Sequence, residues 1–158
     1  MTPRRVRAWV LLALGLTLGA CATMPEPPPT LYERLRVVDG IGIARQGRDA
    51  ISIIVDDFVA NIVADNRINA RFKTLKPPEV FKLKANVADQ MCEATGGPCA
   101  YMGREMKAAH KGMKITDAEW DATVEALVKA LDKHKVPAKD KQELLGLLGP
   151  MKPDIVGQ

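Results

Sequence analysis

The sequence predicts an all-α domain. Three observations carry that reading: four segments in which apolar residues recur at helical spacing, cap and proline signals at their ends, and no stretch in which apolar and polar residues alternate as in a half-buried strand. Periodicity alone is met equally by a four-helix bundle and by other layered helical packings. The chain of 158 residues is long enough for one ordinary domain with its own core.

Its first 20 residues hold Arg4, Arg5 and Arg7 with no acid, then the apolar run Trp9 to Leu18. That run is too short to cross a bilayer, so residues 1–20 are expected to be a secretory signal. Leu18-Gly19-Ala20-Cys21 resembles a bacterial lipobox, in which Cys21 is acylated and becomes the mature N-terminus. A twin-arginine signal fits less well, with Pro3 before the pair and Arg7 after it. Ala22 supplies no inner-membrane retention signal of the aspartate type. The expected location is therefore the cell envelope, lipid-anchored at the outer membrane and facing the periplasm. Residues 21–30, with four prolines among them, form an extended tether, and residues 31–158 form the domain.

Charge excludes one class of partner. The formal net charge is +4, and most of it belongs to the three arginines of the signal, so the remainder is close to neutral. Nucleic-acid binding is not expected. Lys107, Lys111 and Lys114 are expected to form a solvated face. With Cys21 acylated, Cys92 and Cys99 remain as an even pair in an oxidising compartment, flanking the Gly96-Gly97-Pro98 turn. They are disulfide candidates, worth roughly 2 to 3 kcal/mol in the chain-entropy model, with two buried thiols as the lesser alternative. Neither belongs to a Cys-x-x-Cys-His sequence.

Along the domain, Ile51, Ile54, Val55, Phe58, Ile62 and Val63 predict an amphipathic helix over Arg48–Ala64, ended at Asp65-Asn66. After Pro77-Pro78 a second helix is predicted over Glu79–Thr95, with Leu83, Val87 and Met91 on one face and Gly96-Gly97-Pro98 as its stop. Thr116-Asp117-Ala118-Glu119 is a capping box opening a third helix, whose stripe is Trp120, Val124, Leu127, Val128 and Leu131. Pro137 suits the first turn of a fourth, carrying Leu144, Leu145, Leu147 and Leu148.

The segment Gly96–Ile115 carries the chemistry. It sets His110 at the end of a short helical stretch, between glycine-bearing turns and among apolar side chains. A haem iron requires a neutral imidazole nitrogen held rigidly, its other N–H engaged by an acceptor such as a carbonyl of a helix end. Gly112 allows a sharp turn beside a flat macrocycle. The second histidine, His134, lies in Asp132-Lys133-His134-Lys135, where an exposed side chain favoured by the helix dipole is expected.

Gly96-Gly97-Pro98, Tyr101, Gly103, Met106 and His110 with Gly112 and Ile115 resemble the group I truncated haemoglobins. The similarity reaches back through Asp56-Asp57-Phe58 and Ala64-Asp65, and forward to Leu144-Leu145 and Gly149-Pro150, covering roughly residues 31 to 156. The resemblance implies a two-over-two helical sandwich enclosing haem b, with His110 as the proximal iron ligand and Phe72 packed on the haem face. It implies a pocket that also draws on Phe58, Leu83, Val87, Met91, Tyr101, Met106 and Ile115. A planar cofactor would add apolar volume to a core poor in aromatic rings.

The family commonly carries a Gly-Gly pair soon after its opening Leu-Tyr-Glu-Arg-Leu. Here Arg36 to Gly47 intervenes, which reads as an insertion that rebuilds the first turn. The family also commonly places a tyrosine after the phenylalanine matching Phe58 and a glutamine on the facing helix, both donating to the gas ligand. This chain has Val59, Leu83 and Val87 instead, with Gln90 or, more remotely, Tyr101 as substitute donors. The resemblance therefore implies reversible binding of diatomic gases (O2, NO, CO). A haem enzyme of NO detoxification or peroxidase type and a haem-free helical lipoprotein are the rival classes, and the electron donor is left open.

Overall fold

The computed structural model describes residues 26–158; the signal segment, the acylation candidate Cys21 and the first part of the tether lie outside the described residues. Residues 26–30 are exposed and without regular structure, and they lead into the short helix α1 (Leu31–Arg34). Thr30 caps it: its hydroxyl accepts from Glu33 N at 3.3 Å while the Glu33 carboxylate accepts from Thr30 N at 2.7 Å.

The stretch that intervenes after α1 is a β-hairpin, which corrects the expectation of no strand. β1 (Arg36–Val38) pairs antiparallel with β2 (Ala44–Gln46), in the register Arg36 to Gln46, Val37 to Arg45 and Val38 to Ala44. The cause is local. The Asp39 carboxylate accepts from the amides of Ile41 (3.1 Å) and Ile43 (2.8 Å) and closes the turn. Val37 faces the core and its neighbours face solvent, but three residues are too few for that alternation to stand out in sequence.

α2 (Gly47–Ala64) is the central helix. Ala50, Ile51, Ile54, Val55, Phe58, Val59 and Ile62 are all buried, so packing on two sides overrides the strand preference of its β-branched residues. It packs against both α3 (Pro77–Ala94) and α5 (Asp117–Lys133). α3 starts two residues earlier than predicted because Pro77 and Pro78 occupy its first positions, where no amide is needed. The Thr116 hydroxyl accepts from Glu119 N at 3.2 Å and opens α5 as expected. α6 (Ala138–Leu148) follows Pro137 and runs into a 3₁₀ segment, Gly149–Asp154.

These four long helices form the two-over-two sandwich, and α4 (Met106–His110) is a single short turn between α3 and α5. The chain end folds back over it. Ile115 bridges Val156 in parallel, and Gly157 N donates to Ile115 O at 2.9 Å. No helix among the described residues is long and apolar enough to cross a membrane.

Candidate functional site

A cavity of about 560 Å³ opens between the helices. Phe58 comes from α2, Leu83 and Val87 from α3, His110 from α4, Leu127 from α5 and Leu148 from α6. Every long helix thus contributes an apolar wall to one space. That is the shape of a site for a large, mostly apolar ligand with few polar contacts.

His110 ends α4 half-buried at the cavity edge. Its Nδ1 lies 2.8 Å from the carbonyl oxygen of Met106. A carbonyl only accepts, so Nδ1 carries a proton, and in the neutral ring Nε2 keeps its lone pair. α4 itself is set by Glu105, whose carboxylate accepts from Lys107 N and Ala108 N at 3.2 and 3.1 Å. Immediately after His110 the chain reverses, with Met113 N donating to His110 O at 2.9 Å and Gly112 at φ +81°. A side chain at Gly112 would strain that turn. The imidazole is therefore held from both ends of its segment.

Of the residues expected at the cofactor, Phe58, Leu83, Val87, Met91, Tyr101, Met106 and His110 line the cavity. Phe72 does not. It is partly buried against the core, just beyond the 3₁₀ turn Asn69–Arg71. Ile115 is taken up in the bridge to Val156 and is likewise not part of the lining. Val59 is only 3% exposed and points into the core rather than the cavity.

The two substitute donors are both engaged elsewhere. Gln90 lines the cavity, but its amide nitrogen lies 3.4 Å from Met106 Sδ and 3.4 Å from Met151 Sδ. The Tyr101 hydroxyl donates to Arg104 O at 2.8 Å, and burial pushes its pKa up. Its ring covers Gly103 so closely that a Cβ there would fall 2.3 Å from it. Polar residues missed from sequence also line the cavity, among them Arg104, Asn86 and Thr123. The Thr123 hydroxyl donates back to Glu119 O at 2.8 Å, and Arg104 brings a guanidinium to the lining. Trp120, Val124 and Leu127 were legible as an inner stripe, and that stripe is cavity wall.

Cys92 and Cys99 are disulfide-bonded, with Cα atoms 5.7 Å apart. The bond ties the last turn of α3, which carries Gln90 and Met91, to the loop that carries Tyr101. His134 corrects an expectation: its side chain is 9% exposed, with Nε2 2.6 Å from Asp57 Oδ2. Burial pushes the Asp57 carboxyl up, but hydrogen bonds from Lys133 and His134 outweigh it and hold the carboxyl below the usual value. That pair fastens α5 to α2 and lies outside the cavity lining. A second hollow, of about 440 Å³ beside Asn61 and Lys129, is polar. Its Arg67 is already paired with Asp65 and Glu125 at 2.7 and 2.6 Å.

Residues 37–156 match the family model described as bacterial-like globin. The chain is 29% identical to a group 1 truncated hemoglobin of Mycolicibacterium paratuberculosis over 81% of its own length and 85% of the relative's. Among solved structures, it superposes on the truncated hemoglobin from Tetrahymena pyriformis with a TM-score of 0.71 at 27% identity, covering 82% of this chain and all (100%) of the other. The 2/2 hemoglobin of Synechococcus sp. PCC 7002, solved in the cyanomet state with covalently attached heme, gives a TM-score of 0.68 at 29% identity over 81% of this chain and 98% of that one.

Proposed function

This chain belongs to the bacterial-like globin family, as a group 1 truncated haemoglobin, and on that premise we propose that His110 is the residue through which it holds haem b. The protein is a haem-binding globin whose ligands are diatomic gases. The observation that carries the assignment of His110 is its hydrogen bond to Met106 O, which leaves Nε2 unprotonated at the edge of an apolar cavity. The residues fit the cofactor in size and chemistry: apolar walls for the macrocycle, one oriented imidazole, and Arg104 in the lining as a cation for a propionate. Haem held there would supply the iron that binds O2, NO or CO.

Phe58, Leu83 and Val87 form part of the cavity wall, and none of them donates a hydrogen bond. A donor to a gas ligand that develops negative charge is worth roughly 1.5 to 3 kcal/mol, or about ten- to hundredfold in affinity. Where no donor reaches the ligand, O2 is held weakly relative to NO and CO, which develop less charge. The proposed role is thus reversible gas binding with little preference for O2.

The proposed placement is the envelope. It rests on the basic, apolar and small-residue succession that ends at Cys21, followed by a proline-rich tether. The disulfide between Cys92 and Cys99 suits an oxidising compartment. Absorption spectra of the purified ferrous protein, with and without CO, test the haem assignment: a Soret band that shifts on CO addition is expected, and haem that fails to bind overturns it.

A further inference from the structure

The β1–β2 hairpin ends in an apolar tip that nothing among the described residues covers. Ile41 is 80% exposed, Val38 62% and Ile43 47%. Three neighbouring large aliphatic side chains in water are a cost that the gas site does not require. The backbone beneath them is unusually well satisfied. Ile41 N and Ile43 N both donate to the Asp39 carboxylate, Gly42 N donates to Asp39 O at 3.0 Å, and Asp39 N donates to Ile43 O at 2.9 Å. The carboxylate itself is neutralised by Arg45 at 2.9 Å. A turn built this way can leave water without stranding those amides or that charge.

Its position in the chain says what it faces. Eight residues lie between Cys21 and Thr30, so nine residue steps reach at most about 32 Å. From Thr30 to Ile41 the chain runs through one helical turn and one short strand, under about 30 Å. The tip therefore stays within reach of whatever surface holds Cys21. Arg36, exposed on the same face of β1 as Val38, adds a positive charge beside the apolar tip, which complements anionic phospholipid.

We propose that Val38, Ile41 and Ile43 insert into the phospholipid leaflet that carries the Cys21 acyl chains and fix the orientation of the globin domain on it. The inference rests on the proposed acylation of Cys21. An acyl anchor alone leaves the domain free to tumble at the end of its tether. A second, apolar contact at the hairpin removes that freedom and holds the gas cavity in one direction relative to the membrane.

The test uses the full chain, matured in a host that acylates it and reconstituted in phosphatidylethanolamine–phosphatidylglycerol vesicles. Ile41→Cys is labelled with a nitrobenzoxadiazole fluorophore, and Lys73→Cys, exposed beyond the far end of α2, is the control. Emission from position 41 is expected to fall to about half or less when the lipids carry acyl-chain spin labels, while position 73 is unchanged. An unacylated mass overturns the anchor and the hairpin's role together. Acylated protein in which both positions are quenched alike overturns the hairpin's role alone. Emission at position 41 that depends on protein concentration and not on lipid means that a second copy covers the tip, and it also overturns the proposal.

Discussion

The Nδ1 of His110 lies 2.8 Å from the carbonyl oxygen of Met106, one helical turn earlier in α4. Met106 also meets Gln90 of α3, whose amide nitrogen is 3.4 Å from the Met106 sulfur and 3.4 Å from that of Met151. A chain of contacts thus runs from α3 through Met106 to the imidazole, with the C-terminal 3₁₀ segment as its second support. Removing the amide by Gln90→Leu is expected to keep haem binding and to change the iron–histidine stretching frequency of the ferrous protein. Resonance Raman spectra of both proteins check this. An unchanged frequency means that the Met106 carbonyl alone sets the ring.

Gas affinity is expected to follow the polarity of the cavity wall. Val87 lines the cavity, whereas Val59 is buried and outside the lining, so Val87→Gln is the substitution that brings a donor into the cavity. O2 dissociation from Val87→Gln should be about ten- to hundredfold slower than from the parent, with Val87→Leu as a control of similar bulk. Stopped-flow dissociation rates decide it. Equal rates for the Gln and Leu variants would show that a donor is already present, with Asn86, Gln90 and Thr123 among the polar groups in the lining.

The disulfide should matter to stability more than to gas binding. Cys92 and Cys99 close a loop of sequence separation 7, and Cys92→Ser with Cys99→Ser is expected to lower stability by about 2.5 kcal/mol in the chain-entropy model. Denaturant unfolding of the haem-loaded proteins measures this. The loss should appear in the midpoint with little change in the Soret spectrum.

Glu119 gives a pH dependence with a definite sign. Arg71, at 2.9 Å, together with the amide of Thr116, holds the carboxyl down at about 2. A carboxyl whose pKa is depressed by folding contributes stability above its unfolded value, near 4.5, and loses it as pH falls toward the folded value. The stability gap between the parent and Glu119→Gln should be constant from pH 7 to about pH 5 and should close between about pH 4.5 and 2. Unfolding midpoints measured across that range check it, and a gap that persists at the acid end contradicts the ion pair as its source.

How much was legible follows from the range of the interactions involved. α2, α3, α5 and α6 each announce themselves by a stripe of apolar residues and a start or stop signal at an end, and His110 by the glycines and apolar neighbours of its own segment. The hairpin was not legible because its strands are three residues long and its turn is closed by one carboxylate. His134 looked exposed because its partner, Asp57, stands 77 residues away. Phe72, Val59 and Ile115 were assigned to the cavity by likeness to the family. What diverts them is packing and pairing: Phe72 to the core edge, Val59 into the core, and Ile115 to Val156.

The two histidines offer the most direct measurement. Soret absorption and haem retention should be recorded for His110→Gly, with and without added imidazole, and for His134→Ala. His110→Gly is expected to lose haem on gel filtration and to regain a Soret band when imidazole fills the space left by the side chain. His134→Ala is expected to keep its haem and to unfold at lower denaturant, since it loses only the tie to Asp57. Haem retained by His110→Gly without imidazole, together with haem lost from His134→Ala, would contradict the assignment.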